Sequence, residues 1–493
     1  MYCTVETATI LGIRAIRVQV QVHIASGLPA LQLVGLPDVM VQESRERVRA
    51  ALKSAGFSIP ASRITVNLAP ASLRKHGSAF DLPIALGIAV ASGQLSASVV
   101  TGVLAAGELS LNGGIQPAAG LLAYARLAVD DGLILLGAGV SESVGLMGGS
   151  YREVPSLATL REAPPRTVTV NVVEAAEYAR ALADTAHLGG VRGGADLPDF
   201  ADVIGQEAVI RALTVAATGR HNVLMVGPPG TGKTMLARRF AAVLPPPTAG
   251  EYLESALIHS VSNVAVNGFV AGRPFRDPHH SSTTVGLVGG GNPPHPGEVS
   301  LAHNGVLFLD ELPQFGTATL QALRGPLEDR KVSLVRSEYR IEYPASFQLV
   351  AAANPCPCGY LGDSVVRCGC SSAAIERYQS RIGGPLLDRF DISVRVARPD
   401  PDGLLGGRGA VSTVEVAARV SDAQRDAARN GAPTLGSAAR RALVAAARKI
   451  PLSPRAALTA SRVAASVALL EGSREVGEDH LFEALSYRVG FTS

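Results

Sequence analysis

With 493 residues and 47% hydrophobic side chains, the chain is long enough for about two to four domains, each with its own core. A net charge of +3 is too small to mark a nucleic-acid binder, and the abundance of arginine and alanine fits a GC-rich genome. No apolar stretch reaches membrane-spanning length free of charge or glycine, and Met1-Tyr2-Cys3-Thr4-Val5-Glu6 lacks a basic leader region; a cytoplasmic protein without a membrane partner is expected.

Residues 1–165 alternate strand and helix patterns. Ile13–Ile24, Ile64–Leu68 and Val103–Leu111 read as strands, and Gln42–Ala55 and Leu82–Ala91 as helices. This is an α/β domain of its own. Residues 166–196 read as a linker, with a helix at Val173–Ala183 and the glycine run from His187 to Gly194.

The next domain, 197–400, carries the strongest signal. Asn222-Val223-Leu224-Met225-Val226 reads as a buried strand and Met235–Ala241 as a helix. Between them lies Gly227-Pro228-Pro229-Gly230-Thr231-Gly232-Lys233-Thr234, a Walker A pattern in the strand–loop–helix context it requires. The glycines let backbone N–H groups turn towards phosphates, Lys233 is expected to reach the β- and γ-phosphates, and Thr234 to hold Mg²⁺. The apolar strand Val306–Leu309 ends in Asp310-Glu311, a Walker B pattern. Asp310 is expected in the Mg²⁺ shell and Glu311 as the base that polarises the attacking water, so hydrolysis of ATP is the expected reaction. Strand candidates alternating with helices argue a parallel sheet with phosphates at the strand C-termini.

Further candidates follow. Asn354 closes the strand candidate Phe347–Ala351 and its Ala352-Ala353 extension, where an amide orients a lytic water; the plain alternative is a turn residue before Pro355. Arg389 in Pro385-Leu386-Leu387-Asp388-Arg389-Phe390-Asp391 suits an arginine supplied to a neighbour's phosphate, with Arg381 as its rival and an ion pair with Asp388 or Asp391 as the plain alternative. Cys356-x-Cys358 and Cys368-x-Cys370 suit tetrahedral Zn²⁺, the alternative being free or redox-active thiols. His279, His280, His295 and His303 invite a metal reading; with Arg273 and Arg276 close by they read better as a phosphate-contacting pore loop, Arg273, Arg276, His279 and His280 being the DNA candidates, and the plain alternative is polar loop residues. Residues 401–493 read as a helical lid, with helices at Val414–Asn430, Ser437–Lys449, Pro454–Leu470 and Gly477–Tyr487. Ser453 is a candidate N-cap, and Arg455 is expected to contact the γ-phosphate of its own subunit.

Gly35-Leu36-Pro37-Asp38, Glu43–Val48, Arg273–Arg276, Pro278-His279-His280, Val288–Gly291, Pro296–His303 and Asn354–Gly359 together resemble the YifB/ComM family of magnesium-chelatase-like AAA+ ATPases over essentially the whole chain. The resemblance implies an N-terminal Lon-protease-like (ribosomal S5 domain 2-like) domain, an AAA+ P-loop domain and a helical lid. It implies Asn354 as sensor 1, Arg389 as arginine finger and Arg455 as sensor 2. It also implies that the insert from Arg273 to His303 faces a ring pore. Lon-type proteolysis needs a serine–lysine pair. Lys75–Ala79 loosely resembles the serine segment, but no lysine occurs between Lys75 and Lys233, so the domain is expected to be non-proteolytic.

By that resemblance the expected function is a homo-hexameric DNA motor, a branch-migration helicase of recombination or natural transformation. The basic run Arg440, Arg441, Arg448, Lys449, Arg455 and Arg462 agrees with a DNA partner. The alternative is a chelatase-like ATPase that remodels a protein.

Overall fold

The computed structural model describes residues 1–175, 177–178, 181, 199–262, 272–335, 340–398, 411–449 and 452–488. The glycine run 187–194 and the end of the helix expected at Val173–Ala183 lie outside the described residues. The fold is mixed α/β with a helical C-terminal part, as expected.

The N-terminal sheet is built from β1 (Tyr2–Leu11), β2 (Arg14–Ala25), β3 (Ala30–Val34), β4 (Arg63–Ala69), β5 (Val103–Ala105), β6 (Ile134–Gly137), β7 (Gly149–Glu153) and β8 (Val168–Val170). Its eight strands run in the order β8-β7-β6-β5-β1-β2-β4-β3. Val18, Val20, Val22 and Ile24 alternate inwards along β2, as a half-buried strand requires. Helices α1 (Val39–Ser54) and α2 (Asp81–Ala91) cover that face, α2 being buried almost all round. Helices α3 (Leu121–Asp130) and α4 (Val140–Met147) pack with Ala8, Leu104 and Leu135 in a second cluster.

Two expectations are corrected here. The strand read at Val103–Leu111 breaks, because Gly107 N donates to Ala79 O (3.2 Å) and Gly107 O accepts from Leu82 N (3.0 Å), which turns the chain onto the start of α2. Glu108–Leu109 then pairs with Ile115–Gln116 instead. Residues Val168–Val170, read as linker, pair antiparallel with β7 and form the sheet edge.

The second sheet contains β9 (Val223–Val226), β10 (Phe275–Arg276), β11 (Val306–Leu309), β14 (Gln348–Ala353) and β15 (Ile392–Arg395), in the order β10-β11-β14-β9-β15 and all parallel. Every residue of β9, β11 and β14 is buried, and apart from Gln348 at the start of β14 these strands read as continuous apolar runs. A hairpin, β12 (Lys331–Val335) with β13 (Arg340–Pro344), stands apart from that sheet. Helices α5 (Glu207–Gly219), α6 (Lys233–Ala242), α7 (Ala249–Ser260) and α8 (Ser372–Gln379) belong to this part.

The C-terminal helices are α9 (Thr413–Asn430), α10 (Ser437–Lys449), α11 (Pro454–Leu470) and α12 (Glu478–Ser486). Ser453 caps α11 by accepting from Ala456 N at 3.1 Å. Val416, Val463, Val467 and Leu481 share one core with Phe240 and Val223. Arg211 of α5 holds Glu483 (2.9 Å) and Glu471 (2.8 Å) across the same boundary. Among the described residues the N-terminal part meets the second sheet's domain at α7 and at the β12–β13 hairpin. Tyr252 and Ala256 of α7 pack on Leu122 and Leu146, and the β1–β2 turn lies on Ile341 of β13. Among the described residues no helix is long and apolar enough to cross a membrane.

Candidate nucleotide site and its surroundings

The parallel sheet sorts the candidate residues onto two edges. At the strand C-termini, β9 runs into Gly227, β11 into Asp310 and β14 into Asn354, and pairing of β14 with both neighbours brings the three ends together. Gly230 (φ +78°) and Gly232 (φ +84°) adopt the left-handed conformation that turns the loop into α6. Thr231 Oγ1 donates to Pro228 O at 2.9 Å and closes the loop. The Lys233 ammonium is buried and donates to Gly227 O (2.8 Å), Pro228 O (2.8 Å) and Asn354 Oδ1 (3.2 Å). Burial pulls its pKa below the usual lysine value, while Asp310 and Glu311 work to raise it. Thr234 Oγ1 donates to Asp310 Oδ2 at 2.6 Å. A hydroxyl and a carboxylate in contact are hard oxygen donors suited to Mg²⁺, and the N–H groups at a helix start such as that of α6 suit phosphate. The donor set therefore fits a magnesium nucleotide.

Glu311 sits at φ +51°, an unusual conformation for a non-glycine residue, and its N–H donates to Asp310 Oδ1 at 2.9 Å. The turn separates the two carboxylates, and nearly half of the Glu311 side chain is exposed. Sequence reasoning placed His279 and His280 in a phosphate-contacting loop without foreseeing Glu311 beside them, and it passed over Asp277. His280 Nδ1 lies 3.6 Å from Glu311 Oε2, with His279 tilted against it at 4.0 Å between ring centroids. Asp277 has its pKa raised, first by burial and then by the charge of Asp310, with Arg238 opposing. The signal was present in Asp277-Pro278-His279-His280 between the Walker motifs.

The expectation that Arg273 and Arg276 reach DNA is corrected. Arg273 is nine-tenths buried and holds Glu251 (2.9 Å), Pro245 O (2.6 Å) and Asn304 O (2.7 Å). Arg276 pairs bidentately with Glu298 at 2.6 and 2.8 Å. Arg273 ties the start of the insert at the N-terminal end of β11, beside Asn304, and Arg276 ties it to Glu298; His279 and His280 follow in the chain. His303 is likewise structural, facing Glu254 at 3.1 Å and accepting from Ser346 N at 2.9 Å.

The opposite edge gathers arginines. Arg389 pairs with Glu328, and Arg455 Nη1 donates to the same carboxylate at 3.1 Å. The Arg389 carbonyl accepts from Asn222 Nδ2 (2.9 Å), which places it where β9 begins. A cavity of about 180 Å³ opens there, lined by Arg389, Arg455, Arg462, Asn222, Gly305 and Gln348. Four residues of strand, roughly 13 Å at the usual rise, separate this edge from the Walker A loop. Arg455 was expected at the γ-phosphate of its own subunit; it stands beside Arg389 at the strand N-termini. Arg381, the rival of Arg389, stands exposed after α8, whose Gln379 donates to Pro355 O (3.0 Å) near Asn354.

The thiols of Cys356, Cys358, Cys368 and Cys370 lie within 4.8 Å of one another, and among the described residues they form the one such group of metal-ligating type. Backbone N–H groups of Tyr360 and Gly369 bring the Cys358 thiol down to about 6, while burial pushes Cys356 up. In the N-terminal domain, Ser78 Oγ donates to Glu108 and Lys75 Nζ to Pro70 O, so these two side chains do not form a serine–lysine pair.

A five-stranded parallel sheet, a Walker A loop touching a Walker B aspartate and a helical C-terminal part define a P-loop ATPase of the AAA+ class. The family described as magnesium chelatase, subunit ChlI, matches residues 199–403; those described as subunit ChlI of Mg-chelatase and as magnesium chelatase, subunit ChlI C-terminal, match 20–136 and 410–488. Competence protein ComM of Haemophilus influenzae is 39% identical over 509 residues, covering 97% of this chain and 96% of its own. The uncharacterized protein YifB of Salmonella typhimurium is 43% identical over 398 residues, 80% of this chain and 76% of its own. Lon protease 2 of Bacillus subtilis is 31% identical over 183 residues, 32% of this chain and 33% of its own. The chain belongs to the YifB/ComM family of magnesium-chelatase-like AAA+ ATPases.

Proposed function

We propose that this ATPase is a ring motor, a homo-hexamer that hydrolyses ATP to move on DNA, and that it acts as a branch-migration helicase. Lys233 binds the phosphates, Thr234 and Asp310 hold Mg²⁺, Glu311 activates water, and Asn354 orients it. Arg389 and Arg455 serve the nucleotide of the adjacent subunit. Their placement on the sheet edge remote from their own Walker A loop supports that division, because a head-to-tail ring sets one subunit's arginine edge against the next subunit's loop.

The observation that carries the DNA reading is the basic surface of α10. Arg440, Arg441, Arg448 and Lys449 are all exposed, and none has a carboxylate partner among the described ion pairs. Unpaired cations on a rigid helix suit a phosphate backbone. The name of the Haemophilus relative, competence protein, supports the same track.

The test is the ATPase rate with no DNA, single strands, duplex and a four-way junction at one moderate salt concentration. Stimulation greatest with the junction is expected. An unchanged rate with every DNA would refute the motor and favour a protein substrate.

A further inference from the structure

Cys356 follows the candidate sensor Asn354 by two residues. Cys358 is followed by Gly359, at φ +86°, whose α-carbon lies against the Walker A loop. A β-carbon there would stand 2.7 Å from Pro229 Cδ and 3.9 Å from Asn354 Cγ. The thiol cluster thus abuts the nucleotide cradle. From Leu361 to Ser371 the chain is largely exposed, including Val365 at 73%, and forms no helix or strand. Apolar burial does not hold this segment in place. Asp363, which accepts from Val365 N (2.7 Å) and Arg398 (3.1 Å), ties one point of it.

The sulfur geometry suits one ion. Cys356–Cys358, Cys356–Cys368 and Cys358–Cys368 are 3.4, 3.6 and 3.5 Å apart. Four sulfurs about 2.3 Å from a tetrahedral zinc have edges of about 3.8 Å. A disulfide needs about 2.0 Å, so these are not disulfides. Cys370 N donates to Cys368 Sγ at 3.4 Å, the kind of N–H to sulfur contact that orients a ligating thiolate.

We infer that Cys356, Cys358, Cys368 and Cys370 bind a zinc ion, and that this ion holds Gly359 against Pro229 and fixes the wall of the nucleotide cradle. Nucleotide affinity then depends on zinc bound outside the site. Loss of the ion frees the exposed segment, removes the backing of Pro229 and loosens Asn354, which accepts from Lys233.

The test uses the full chain. Metal content is measured by mass spectrometry, and affinity for a fluorescent ATP analogue by titration in excess Mg²⁺. The titration is run as purified, after a zinc-selective chelator, and after zinc is returned. One zinc per chain is expected, lost in the double variant Cys368→Ser/Cys370→Ser, with affinity falling about tenfold on chelation and returning with zinc. Gly359→Ala guards against a cysteine variant that fails to fold: it should keep its zinc and still bind nucleotide about tenfold more weakly, because the new methyl displaces Pro229. No zinc, or iron in its place, overturns the site. Full zinc with affinity unchanged by chelation and by Gly359→Ala overturns the coupling. Both readouts are made without DNA, so they stand or fall apart from the motor.

Discussion

Replacing Arg389 by alanine tests the division of labour between the two sheet edges. Its guanidinium is one-tenth exposed; Nη2 meets Glu328, Nη1 donates to Pro385 O at 2.8 Å, and Nε is buried without a partner. Among the described residues that donor has no partner, which is compatible with a partner on an adjacent subunit. An arginine supplied in trans contributes about 10³- to 10⁵-fold to hydrolysis, so Arg389→Ala should raise the barrier by about 4–7 kcal/mol. The fold should survive, because Glu328 keeps Arg455. The assay is steady-state ATP hydrolysis by Arg389→Ala alone and mixed equally with Glu311→Gln, which retains Arg389. For independently firing sites in a randomly mixed ring, about a quarter of the interfaces join an intact Walker site to an intact arginine, so about a quarter of the wild-type rate should return. A rate within threefold of wild type in the single variant would refute the role of Arg389 (a ~0.6 kcal/mol effect). A full loss with no return on mixing would refute its action across subunits.

Glu311→Gln should lower kcat by about 10²- to 10⁴-fold with little change in ATP affinity, read by single-turnover hydrolysis and by analogue titration. His280→Ala should shift the pH profile of kcat with unchanged nucleotide affinity if His280 positions Glu311; an unchanged profile would leave the contact structural. For Glu251, burial acts to raise the carboxyl pKa, but Arg273, the Thr248 N–H and Arg220 bring it down to about 2. A depressed folded value means the stabilisation is present above the unfolded pKa of about 4.3 and is lost as pH falls towards about 2. Glu251→Gln should therefore cost up to about 3 kcal/mol at pH 7 in denaturant melts, with the gap closing as pH falls from about 4 towards about 2. The triple variant Arg440→Ala/Arg441→Ala/Arg448→Ala should reduce the slope of log affinity against log salt by about 2–3 for duplex DNA while leaving the DNA-free ATPase rate unchanged.

The nucleotide edge was legible because it is local. Gly227–Thr234 and Asp310-Glu311 carry their chemistry in contiguous residues, and the buried strands before them read as unbroken apolar runs. The left-handed turn at Glu311 and the approach of His280 were not legible, since both depend on where an insert folds back. Arg273 and Arg276 misled because a sequence shows charge without its partner: Glu251 and Glu298 are each 22 residues away and neutralise them. Val168–Val170 misled for a related reason. A three-residue edge strand exists only because β7 offers it a partner, and no period of its own announces it. The place of Arg455 was not legible because the cap at Ser453 fixes where α11 begins but not where that helix lies against the sheet.

The two edges are joined by structure that differs in rigidity. The buried strands β9, β11 and β14 hold the Walker residues and the start of the arginine edge at a fixed separation, since close-packed strands do not stretch. What can change with nucleotide is the material attached at the strand C-termini: the Asp277–His280 segment beside Glu311 and the cysteine segment behind Pro229. Neither is a strand of the sheet. The N-terminal domain is attached elsewhere, through α7 and through Ile341 on the hairpin that leads into β14. A movement of Asn354 at the end of β14 therefore has a short route to that domain, by way of β14 and the β12–β13 hairpin. On this reading Ile341→Ala should leave nucleotide binding intact while weakening the docking of the β1–β2 turn. Hydrogen exchange at Leu11–Arg14, followed with and without nucleotide, measures it. Equal protection in wild type and variant would show that the hairpin does not carry the connection.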